Sequence, residues 1–495
     1  MTDVGGEAGP DPVVVVGAGP AGLTAAWELE RAGMEFVVLE RDRTVGGLSR
    51  TVRHGGYRFD IGGHRFLTKV PAVERMWREV LGSELVRRDR RSRIRYRGRY
   101  LDYPLRAGTL LRGLGPVFAA RAALSFAAAR AAPRRPERSM EDWVTNRFGA
   151  FLYRTFFKTY TEKVWGIPCA EIGAEWAAQR IRGLSFGRAV AAMLPGGTRG
   201  IKSLAESFHY PRLGPGQMWE AVAARLAAPG RLRLGAEVVA VGHAGGRVRS
   251  VTVRDAGGEE TAAASHLVSS MPLRDLVEAL DPPPPAAVLQ AARSLRYRDF
   301  VTVALVVDRP SLFPDQWLYI HDPALRVGRI QNYGNWSPDM VGEPERTLLG
   351  LEYFCFEGDG LWTLPDEEMA ALAMREVRAL GLAPGAPVRD AVVVRMRHAY
   401  PVYDRGHVER LAVIRGWLGR LANLHPVGRN GLHRYNNQDH SMLTAMLAVR
   451  NILGERHDVW AVNADCEYLE EVRPELRAAA PGRVSAPPPL LEPAA

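Results

Sequence analysis

The fold is decided by the stretch VVVVGAGPAGLTAAWELERAGMEFVVLERDRTVGGLSRTVRHGGYRFDIGG, which occupies residues 13–63. Four consecutive valines predict a short buried strand, and the apolar spacing after them predicts a helix that runs to about Gly33. Gly17, Gly19 and Gly22 have the spacing G-x-G-x-x-G. The first glycine of that pattern permits a tight turn, the second lets a pyrophosphate approach the backbone, and the third lets the helix pack closely on the strand. The stretch therefore predicts a dinucleotide-binding unit.

The ends of this unit supply the polar contacts that a dinucleotide needs. The first turn of the helix carries a partial positive charge that favours phosphate. A second predicted strand, residues 36–39, ends in Glu40, whose carboxylate is placed to accept the ribose hydroxyls of an adenosine. The residues expected to contact the dinucleotide here are Gly17, Gly19, Pro20, Ala21, Gly22, Glu40 and Arg41.

A second glycine-rich segment decides which dinucleotide is expected. After Glu40 come Arg43, Gly46 and Gly47, followed further on by FDIGGH at residues 59–64. In these residues the chain resembles the flavoprotein superfamily of UDP-galactopyranose mutase, protoporphyrinogen oxidase and the amine oxidases, in which such a segment continues an FAD site. The resemblance implies that FAD is the cofactor and that its further contacts include Gly47, Leu48, Ser49, Gly62, Gly63 and His64. The alternative is a glycine-rich linker.

The other specific segment lies late in the chain and reads GRNGLHRYNNQD, residues 428–439. Its Gly-Arg and Arg-Tyr pairs resemble those of UDP-galactopyranose mutase in order and spacing, which implies that Arg429 lies beside the flavin and that Tyr435 reaches a substrate diphosphate. A helix that begins after Asp439 would stabilise negative charge on the reduced flavin. Asn437 departs from the acid that the mutases carry. The FAD contacts implied in the later part of the chain are Val238, Arg429, Asn437, Gln438, Asp439 and Ser441.

Further short stretches resemble the mutase in chain order. They are YTEKVWG at 160–166, Arg180 with Arg182, Gly328-Arg329-Ile330, and Tyr400-Pro401-Val402. The resemblance implies a substrate site made by Tyr160, Trp165, Arg182, Arg329, Tyr400 and Tyr435. It implies that the catalytic residues are His64, Arg329, Tyr400 and Arg429. Without that order and spacing, each tyrosine or tryptophan would be interpreted as core and each arginine as a solvated surface charge.

These segments predict an α/β fold, in which a discontinuous Rossmann-type FAD-binding domain of the glutathione reductase kind accompanies a mixed α+β substrate domain. The segments assigned to the FAD-binding domain are residues 10–104, 206–281 and 406–476. The substrate domain is assigned a helical part that includes a lid, 105–205, and a β-rich part, 286–405. Within these segments we expect one strand at 232–241 and a loop at 332–340. Residues 477–495, rich in Ala and Pro, are expected to be disordered.

Composition places the 495-residue chain among globular enzymes, with 46% hydrophobic and 24% charged residues. The net charge of +10 comes almost entirely from arginine, a bias that indicates a GC-rich bacterial genome rather than a nucleic-acid surface. Cys169, Cys355 and Cys466 are isolated, which argues against a disulfide framework and a thiolate metal site and fits a reducing cytoplasm. The histidines lack metal-ligand spacing, so no metal site is predicted.

No apolar run approaches the ~18 residues of a membrane-spanning helix, and the acidic, glycine-rich first residues lack the features of a signal peptide. The nearest approach to a membrane segment is an Ala-rich helix predicted at residues 117–132. We interpret it as a helix packed on the protein surface, in preference to one that lies on a membrane. The sequence therefore predicts no integral membrane segment.

Together these features predict an FAD-dependent enzyme that resembles UDP-galactopyranose mutase and acts on a small molecule, a sugar nucleotide or related anionic sugar, through flavin N5. The alternative is an oxidoreductase that transfers hydride to N5, as in the protoporphyrinogen oxidase and amine oxidase branch. A third hypothesis is a flavin-bearing scaffold without activity. No second G-x-G-x-x-G is present, so NAD(P)H would reach the flavin without its own Rossmann domain, or reduction comes from elsewhere. A monomer or homodimer is expected.

Overall fold

The computed structural model describes residues 11–103, 115–180, 207–226 and 228–463 of the chain. Its strands are β1 (Val13–Val16), β2 (Phe36–Glu40), β3 (Thr51–His54), β4 (Tyr57–Asp60), β5 (Leu85–Asp89), β6 (Ser92–Tyr96), β7 (Arg99–Asp102), β8 (Ser207–Pro211), β9 (Leu232–Leu234), β10 (Glu237–Ala244), β11 (Arg247–Asp255), β12 (Gly258–Ala263), β13 (His266–Ser269), β14 (Leu280–Asp281), β15 (Tyr297–Val307), β16 (Trp317–Ile320), β17 (Arg329–Asn332), β18 (Thr347–Cys355), β19 (Val388–Pro401) and β20 (Leu424–Pro426).

Its helices are α1 (Pro20–Arg31), α2 (Pro71–Leu81), α3 (Pro116–Ala131), α4 (Met140–Leu152), α5 (Thr159–Trp165), α6 (Ala174–Arg180), α7 (Gly216–Arg225), α8 (Leu273–Glu278), α9 (Ala286–Arg293), α10 (Tyr333–Trp336), α11 (Asp366–Ala379), α12 (His407–Leu418) and α13 (Gln438–Ile452). A π-helix, Tyr153–Lys158, joins α4 to α5.

The first large sheet is parallel and five-stranded, in the order β20-β13-β1-β2-β9. Every residue of β1 is buried, because packed layers cover both faces of the sheet. On one face Val13 and Val15 pack with α1, α2, α7 and α13. On the other face Val14 and Val16 pack with α8, α9, α12 and the four-stranded sheet β12-β11-β10-β14. The strand–helix–strand unit predicted from the opening stretch therefore lies at the centre of this sheet.

The turn between β1 and α1 sets how closely the helix lies on the sheet. Gly17 has φ +96°, a backbone conformation in which any side chain is strained. A Cβ at Gly22 would lie 1.7 Å from the Gly17 carbonyl oxygen, well inside contact distance. Glycine at position 22 is therefore required for the close packing of helix on turn.

The second large sheet has seven strands in the order β19-β15-β18-β17-β16-β6-β7. One face packs on α11 through residues such as Val303 and Leu351, and the other carries Phe300, Phe354 and Tyr400 toward the helical segments. The hairpin β6–β7 joins this sheet because β6 pairs in parallel with β16. From the sequence, this hairpin is expected in the first segment of the FAD-binding domain, residues 10–104. In the structure it belongs instead to the sheet of the predicted substrate domain.

Two local predictions are wrong. The single strand expected at 232–241 is two strands in different sheets, because the chain turns between them at Gly235, which has φ +70°. The loop expected at 332–340 contains helix α10, whose Trp336 is fully buried. In addition, β12 was not predicted, since its sequence GEETAA has a single β-branched residue and no apolar alternation.

The segment predicted to be the helical part of the substrate domain, residues 105–205, contains helices α3 to α6 among its described residues. Helices α3 and α4 approach closely at Gly149, where a Cβ would lie 2.7 Å from the Phe126 amide nitrogen. Within the described residues, no helix has both the length and the apolar character needed to cross a membrane. Residues 181–206 and the tail at 477–495 lie outside the described residues, and the domain boundaries stay a prediction.

Replacing Gly22 by alanine tests the helix packing. We expect Gly22→Ala to lower the free energy of unfolding by about 3 kcal/mol or more, because the new Cβ overlaps the Gly17 carbonyl. The matched control is Gly416→Ala in α12, where no atom lies within 4 Å of the added Cβ. It should stabilise the helix by up to about 1 kcal/mol. Thermal unfolding followed by circular dichroism measures both; equal midpoints would contradict the packing role.

Candidate active site

A cavity of about 900 Å³ is lined by residues from both large sheets. Its walls come from the carboxyl ends of β1 and β2, the segment after β4, the seven-stranded sheet and the start of α13. The predicted site residues that line it are Gly17, Gly19, Pro20, Ala21, Glu40, Arg41, Gly47, Leu48, Ser49, Gly62, Gly63, His64, Tyr160, Val238, Arg329, Tyr400, Arg429, Tyr435, Asn437, Gln438 and Ser441. The fold thus joins the first and last parts of the chain around one space.

Four of the predicted site residues are not among the described residues that line the cavity. Gly22, in the first turn of α1, packs against the turn at Gly17, and Arg182 lies outside the described residues. Trp165 is 5% exposed and packs edge-on against Tyr400, with ring centroids 6.1 Å apart, so it supports the wall from behind. Asp439 is 2% exposed within the first turn of α13.

The cavity wall also contains residues that sequence reasoning missed. They include Arg65, Phe300, Trp317, Tyr319, His398 and His440. Most of them lie on strands of the seven-stranded sheet or beside predicted motifs, and an aromatic residue on a strand has the same pattern whether it faces a core or a cavity. Of these six residues, only Arg65 and His440 could have been suspected from the sequence, because each directly follows a predicted site residue.

Two glycine segments face each other in the nucleotide part of the cavity. A Cβ at Gly47 would lie 3.3 Å from the Gly19 Cα, so the two backbones form a narrow cradle that side chains would fill. The Gly46 N–H donates to the Ala18 carbonyl at 2.8 Å and holds the segments together. Helix α1 begins here at Pro20, and the first N–H groups of a helix lack intrahelical partners and favour phosphate.

Glu40 closes the end of β2 with both carboxylate oxygens engaged. Its Oε2 accepts the Ala18 N–H at 2.6 Å, and its Oε1 accepts the Asp42 N–H at 2.8 Å. Burial raises the pKa of Glu40, and these two donors oppose the shift. Each oxygen retains a lone pair, so the fixed carboxylate is suited to accept ribose hydroxyls.

The segment after β4 presents His64 to the cavity in its neutral form. Its Nδ1 lies 3.1 Å from the Gly62 carbonyl oxygen, and the tautomer that donates from Nδ1 leaves Nε2 as an acceptor. Burial, together with the charges of Arg429 and Arg329, lowers the pKa of His64 to about 3, although the hydrogen bond with Gly62 opposes the shift. His64 is therefore a neutral hydrogen-bonding group at physiological pH rather than an acid.

Arg429 is held by the backbone on both sides of the cavity wall. Its Nε donates to the Asn436 carbonyl and an Nη to the Ala399 carbonyl, each at 2.8 Å. Its guanidinium lies 4.8 Å from the ring centroid of Tyr435, which in turn stacks on Tyr400 at 5.4 Å. The late Arg-Tyr segment therefore forms a fixed stack of one cation and two rings.

Arg329 lies at the other side of this stack and is held by three partners. Its Nε donates to the Tyr160 hydroxyl at 3.1 Å, an Nη donates to the Tyr400 hydroxyl at 3.5 Å, and the other Nη lies 3.2 Å from Glu352. Burial raises the pKa of Tyr160 and Tyr400, so both stay protonated. The arrangement is a positive charge fixed in the wall by neutral phenols and one carboxylate.

Glu352 is the cross-strand partner of Arg329 in the β17–β18 pair and is completely buried. Gln331 Nε2 donates to its Oε1 at 2.5 Å. A Cβ at Gly62 would lie 3.7 Å from the same oxygen, so the buried pair lies directly behind the segment that carries His64. Removing one member of such a pair leaves an uncompensated buried charge, at a cost of about 3–5 kcal/mol.

The turn that leads from β16 into β17 is held between two opposite charges, which we call the Lys163–Glu376 clamp. Lys163 Nζ donates to three backbone carbonyls between residues 320 and 327 at 2.9–3.1 Å. The Glu376 carboxylate accepts the backbone N–H groups of residues 326–327 at 2.5 and 2.9 Å. Because β17 begins at Arg329, two residues later, the clamp holds the backbone directly before that residue.

Asp60 is a buried carboxyl immediately before the cavity segment 61–64. It accepts hydrogen bonds from the Tyr210 hydroxyl and from Thr51 Oγ1, the latter at 2.9 Å. Tyr333 donates to its backbone carbonyl at 2.6 Å. Burial raises the pKa of Asp60 to about 7, and the side-chain donors oppose the shift. The network ties β3, β8 and α10 to the cavity wall.

The chain matches the family of flavin containing amine oxidoreductases over residues 20–433 and belongs to that family. Its fold is similar to solved flavoenzymes. Reduced UDP-galactopyranose mutase superposes with a TM-score of 0.79 and 21% identity, covering 93% of this chain and 97% of the other. A structure from Exiguobacterium, provisionally assigned as a protoporphyrinogen oxidase, superposes with a TM-score of 0.69 and 18% identity, covering 90% of this chain and 99% of the other. The predicted superfamily and the α/β Rossmann-type fold class are confirmed.

Curated relatives match over short stretches. The L-glutamate oxidase precursor of Streptomyces viridosporus is 53% identical over 49 residues, 10% of this chain and 7% of its own. A provisionally named flavin-containing monoamine oxidase of Mycobacterium tuberculosis is 42% identical over 92 residues, 18% of this chain and 20% of its own. Since one fifth or less of each relative is matched, these relatives do not determine the substrate.

The residues of the cavity fit the flavin that the family uses. The glycine cradle leaves room for a phosphate chain, Glu40 is oriented for a ribose, and the start of α13 meets the cavity at Asn437 and Gln438. A helix N-terminus favours negative charge at the position it faces. The cofactor is FAD, and the protein is an FAD-dependent enzyme, as predicted.

Replacing Lys163 tests the Lys163–Glu376 clamp. Lys163→Met removes three charge-assisted hydrogen bonds, and we expect the free energy of unfolding to fall by about 2–3 kcal/mol. The matched control is Lys158→Met, because Lys158 is exposed on the preceding turn. Urea unfolding compares the two, and equal midpoints would contradict the clamp.

The pH dependence of stability tests Asp60. Its folded pKa of about 7 lies above the ordinary value of 3.8, so folding favours the protonated carboxyl. That stabilisation is complete below about pH 4 and is lost as the pH rises through 7. Relative to Asp60→Asn, wild-type unfolding free energy should fall in this window by about 1.4 kcal/mol for each unit of pKa difference. Parallel pH profiles of the two proteins in urea unfolding would contradict this assignment.

Proposed function

We propose that this FAD-dependent enzyme binds an anionic sugar nucleotide, or a related anionic sugar, and rearranges it at the flavin in the manner of UDP-galactopyranose mutase. The observation that carries the proposal is the separation of charge along the cavity. The described lining carboxylates, Glu40, Asp42, Glu237, Asp275 and Glu278, come from β2, β10 and α8 or lie next to them. Arg41 and Arg254 also line that part, whereas the part lined by the seven-stranded sheet has arginines and aromatic rings and no carboxylate among its described lining residues.

This second part of the cavity suits a diphosphate attached to a flat base. Arg329 is fixed by Tyr160, Tyr400 and Glu352 before any ligand arrives, so little ordering is required of it on binding. A planar guanidinium matches two phosphate oxygens at once. The ring of Tyr160 stacks on His321 at 4.4 Å, which leaves a rigid aromatic surface at the cavity wall.

When bound, FAD supplies a reactive N5 that accepts hydride when oxidised and is nucleophilic when reduced. The chain's part is to orient the sugar, to stabilise the leaving diphosphate through Arg329, and to keep a neutral acceptor at His64. Tyr160 and Tyr400 stay protonated and donate hydrogen bonds rather than remove protons. We propose that His64, Arg329, Tyr400 and Arg429 form the reacting part of the site.

The second candidate is an oxidoreductase that transfers hydride from an alcohol, amine or ring substrate to the flavin. The family match supports it, and so does Asn437, which removes a negative charge at the start of α13 where the mutases carry one. The flavin reduced in this reaction needs an electron acceptor to reoxidise it, whereas NAD(P)H, bound without a separate Rossmann domain, is the electron donor that we propose for the mutase-like candidate. For either candidate we propose a cytoplasmic enzyme that works as a monomer or homodimer.

The two candidates differ in their need for reduced flavin. Sugar nucleotides are incubated with oxidised and with dithionite-reduced enzyme, and the products and the flavin spectrum are recorded. The mutase-like proposal expects isomerised product only from reduced enzyme, with no net change in flavin redox state. Bleaching of oxidised flavin by a substrate, without isomerisation, would support the oxidoreductase instead.

The role of Arg329 is tested with both charges of the buried pair removed. Arg329→Gln with Glu352→Gln avoids an unpaired buried carboxylate, and we expect the affinity for UDP to fall about 30-fold, roughly 2 kcal/mol, while FAD content is unchanged. The matched control is Arg346→Gln with Asp308→Gln, an ion pair at the adjoining ends of β18 and β15 that does not line the cavity. Calorimetric titration with UDP measures each. Unchanged affinity in the first variant would refute this assignment.

A further inference from the structure

Helix α3 has an exposed apolar face that the proposed reaction does not use. Val117 is 73% exposed and Leu124 is 72% exposed, and they lie two turns apart on the helix. Alanines at helical spacing complete the stripe, which we call the α3 face and which consists of Val117, Ala120, Leu124, Ala127, Ala128 and Ala131. All six residues are exposed in the structure. A surface helix normally turns polar residues to this side.

The opposite side of α3 is fixed to the protein. Phe118 packs against Phe151 with ring centroids 4.9 Å apart, and the Phe151 N–H donates to Ser125 Oγ at 2.9 Å. The close approach at Gly149 locks the two helix backbones together. The α3 face is therefore a rigid surface, and helix α3 is apolar on the side that packs and on the side that does not.

The charges around this face have one sign. Helix α3 and the segment after it, residues 115–136, contain four arginines and no aspartate, glutamate or lysine. Arg121 borders the stripe with its guanidinium 4.8 Å from the Phe151 ring centroid, and Arg130 and Arg135 are exposed and form no ion pair within the described residues. Arg134 is paired with Glu141 and does not contribute a free charge. An apolar stripe bordered by arginines is the pattern of a helix that lies in the interface of an anionic membrane.

Two other occupants fit less well. A second copy of the chain in a two-fold dimer would bring the same arginines toward one another, which like-charge repulsion disfavours. A spanning position is excluded by length, since the 16 residues of α3 extend about 24 Å and the hydrocarbon core is about 30 Å thick. We propose that the α3 face docks the enzyme flat on an anionic lipid bilayer, with Val117 and Leu124 inserted between headgroups and Arg121, Arg130 and Arg135 against lipid phosphates.

Vesicle flotation of the full-length, FAD-loaded enzyme tests the proposal. The protein should float with vesicles of phosphatidylcholine and phosphatidylglycerol, should not float with phosphatidylcholine alone, and should be released by added salt. Val117→Ser with Leu124→Ser should weaken binding about tenfold, because both inserted side chains become polar. The matched control is Val408→Ser with Val413→Ser on α12, two exposed valines outside the α3 face, which should bind as wild type.

The readouts separate docking from folding and from self-association. The flavin absorption spectrum and the unfolding temperature of both double variants should equal those of the wild type, since all four side chains are exposed. Failure of the wild type to float with anionic vesicles, or equal binding by the Val117/Leu124 variant, would overturn the proposal. So would sedimentation that shows a dimer dissociated by that variant, because the face would then contact a second copy.

Discussion

The cavity depends on one buried ion pair. Arg329 and Glu352 are neighbours across β17 and β18, in a sheet that packs one face into an apolar core. Burying two charges is costly, and the cost is offset here because Gln331 satisfies the carboxylate while Tyr160 and Tyr400 accept from the guanidinium. Gln331 lies on β17, Tyr160 on α5 and Tyr400 on β19, so the three partners come from three different elements. The pair therefore joins β17, β18, β19 and α5 at the substrate part of the cavity.

The nucleotide half of the site could be predicted because its chemistry is local in sequence. Gly17, Gly22 and Glu40 act within one strand–helix–strand unit, where spacing alone determines which atoms meet. Only glycine fits at position 22, so the G-x-G-x-x-G motif itself specifies how helix α1 packs on the turn before it. The late Arg-Tyr segment could be identified by resemblance for the same reason, since Arg429 is held by carbonyls of its own loop and of the adjacent strand.

The substrate half could be predicted only in part, because its residues are brought together by long-range strand pairing. Nothing local distinguishes Trp317 in the wall from Trp165 behind it, as both are aromatic residues in apolar surroundings. Likewise, no pattern marks Lys163 and Glu376 as opposite ends of one clamp, or Asp60 as a buried carboxyl. Such roles depend on burial and on partners more than 100 residues away, which spacing in the sequence does not encode.

The hairpin β6–β7 has a consequence for how ligands come and go. It extends the seven-stranded sheet, while the chain before and after it contributes to the parallel sheet, so the polypeptide passes back and forth between the two sheets. Several connections must bend together before the sheets can separate. The two sheets that enclose the cavity are thus braced against each other by repeated crossings of the chain, and a movement that widens the cavity has to be shared among all of those crossings.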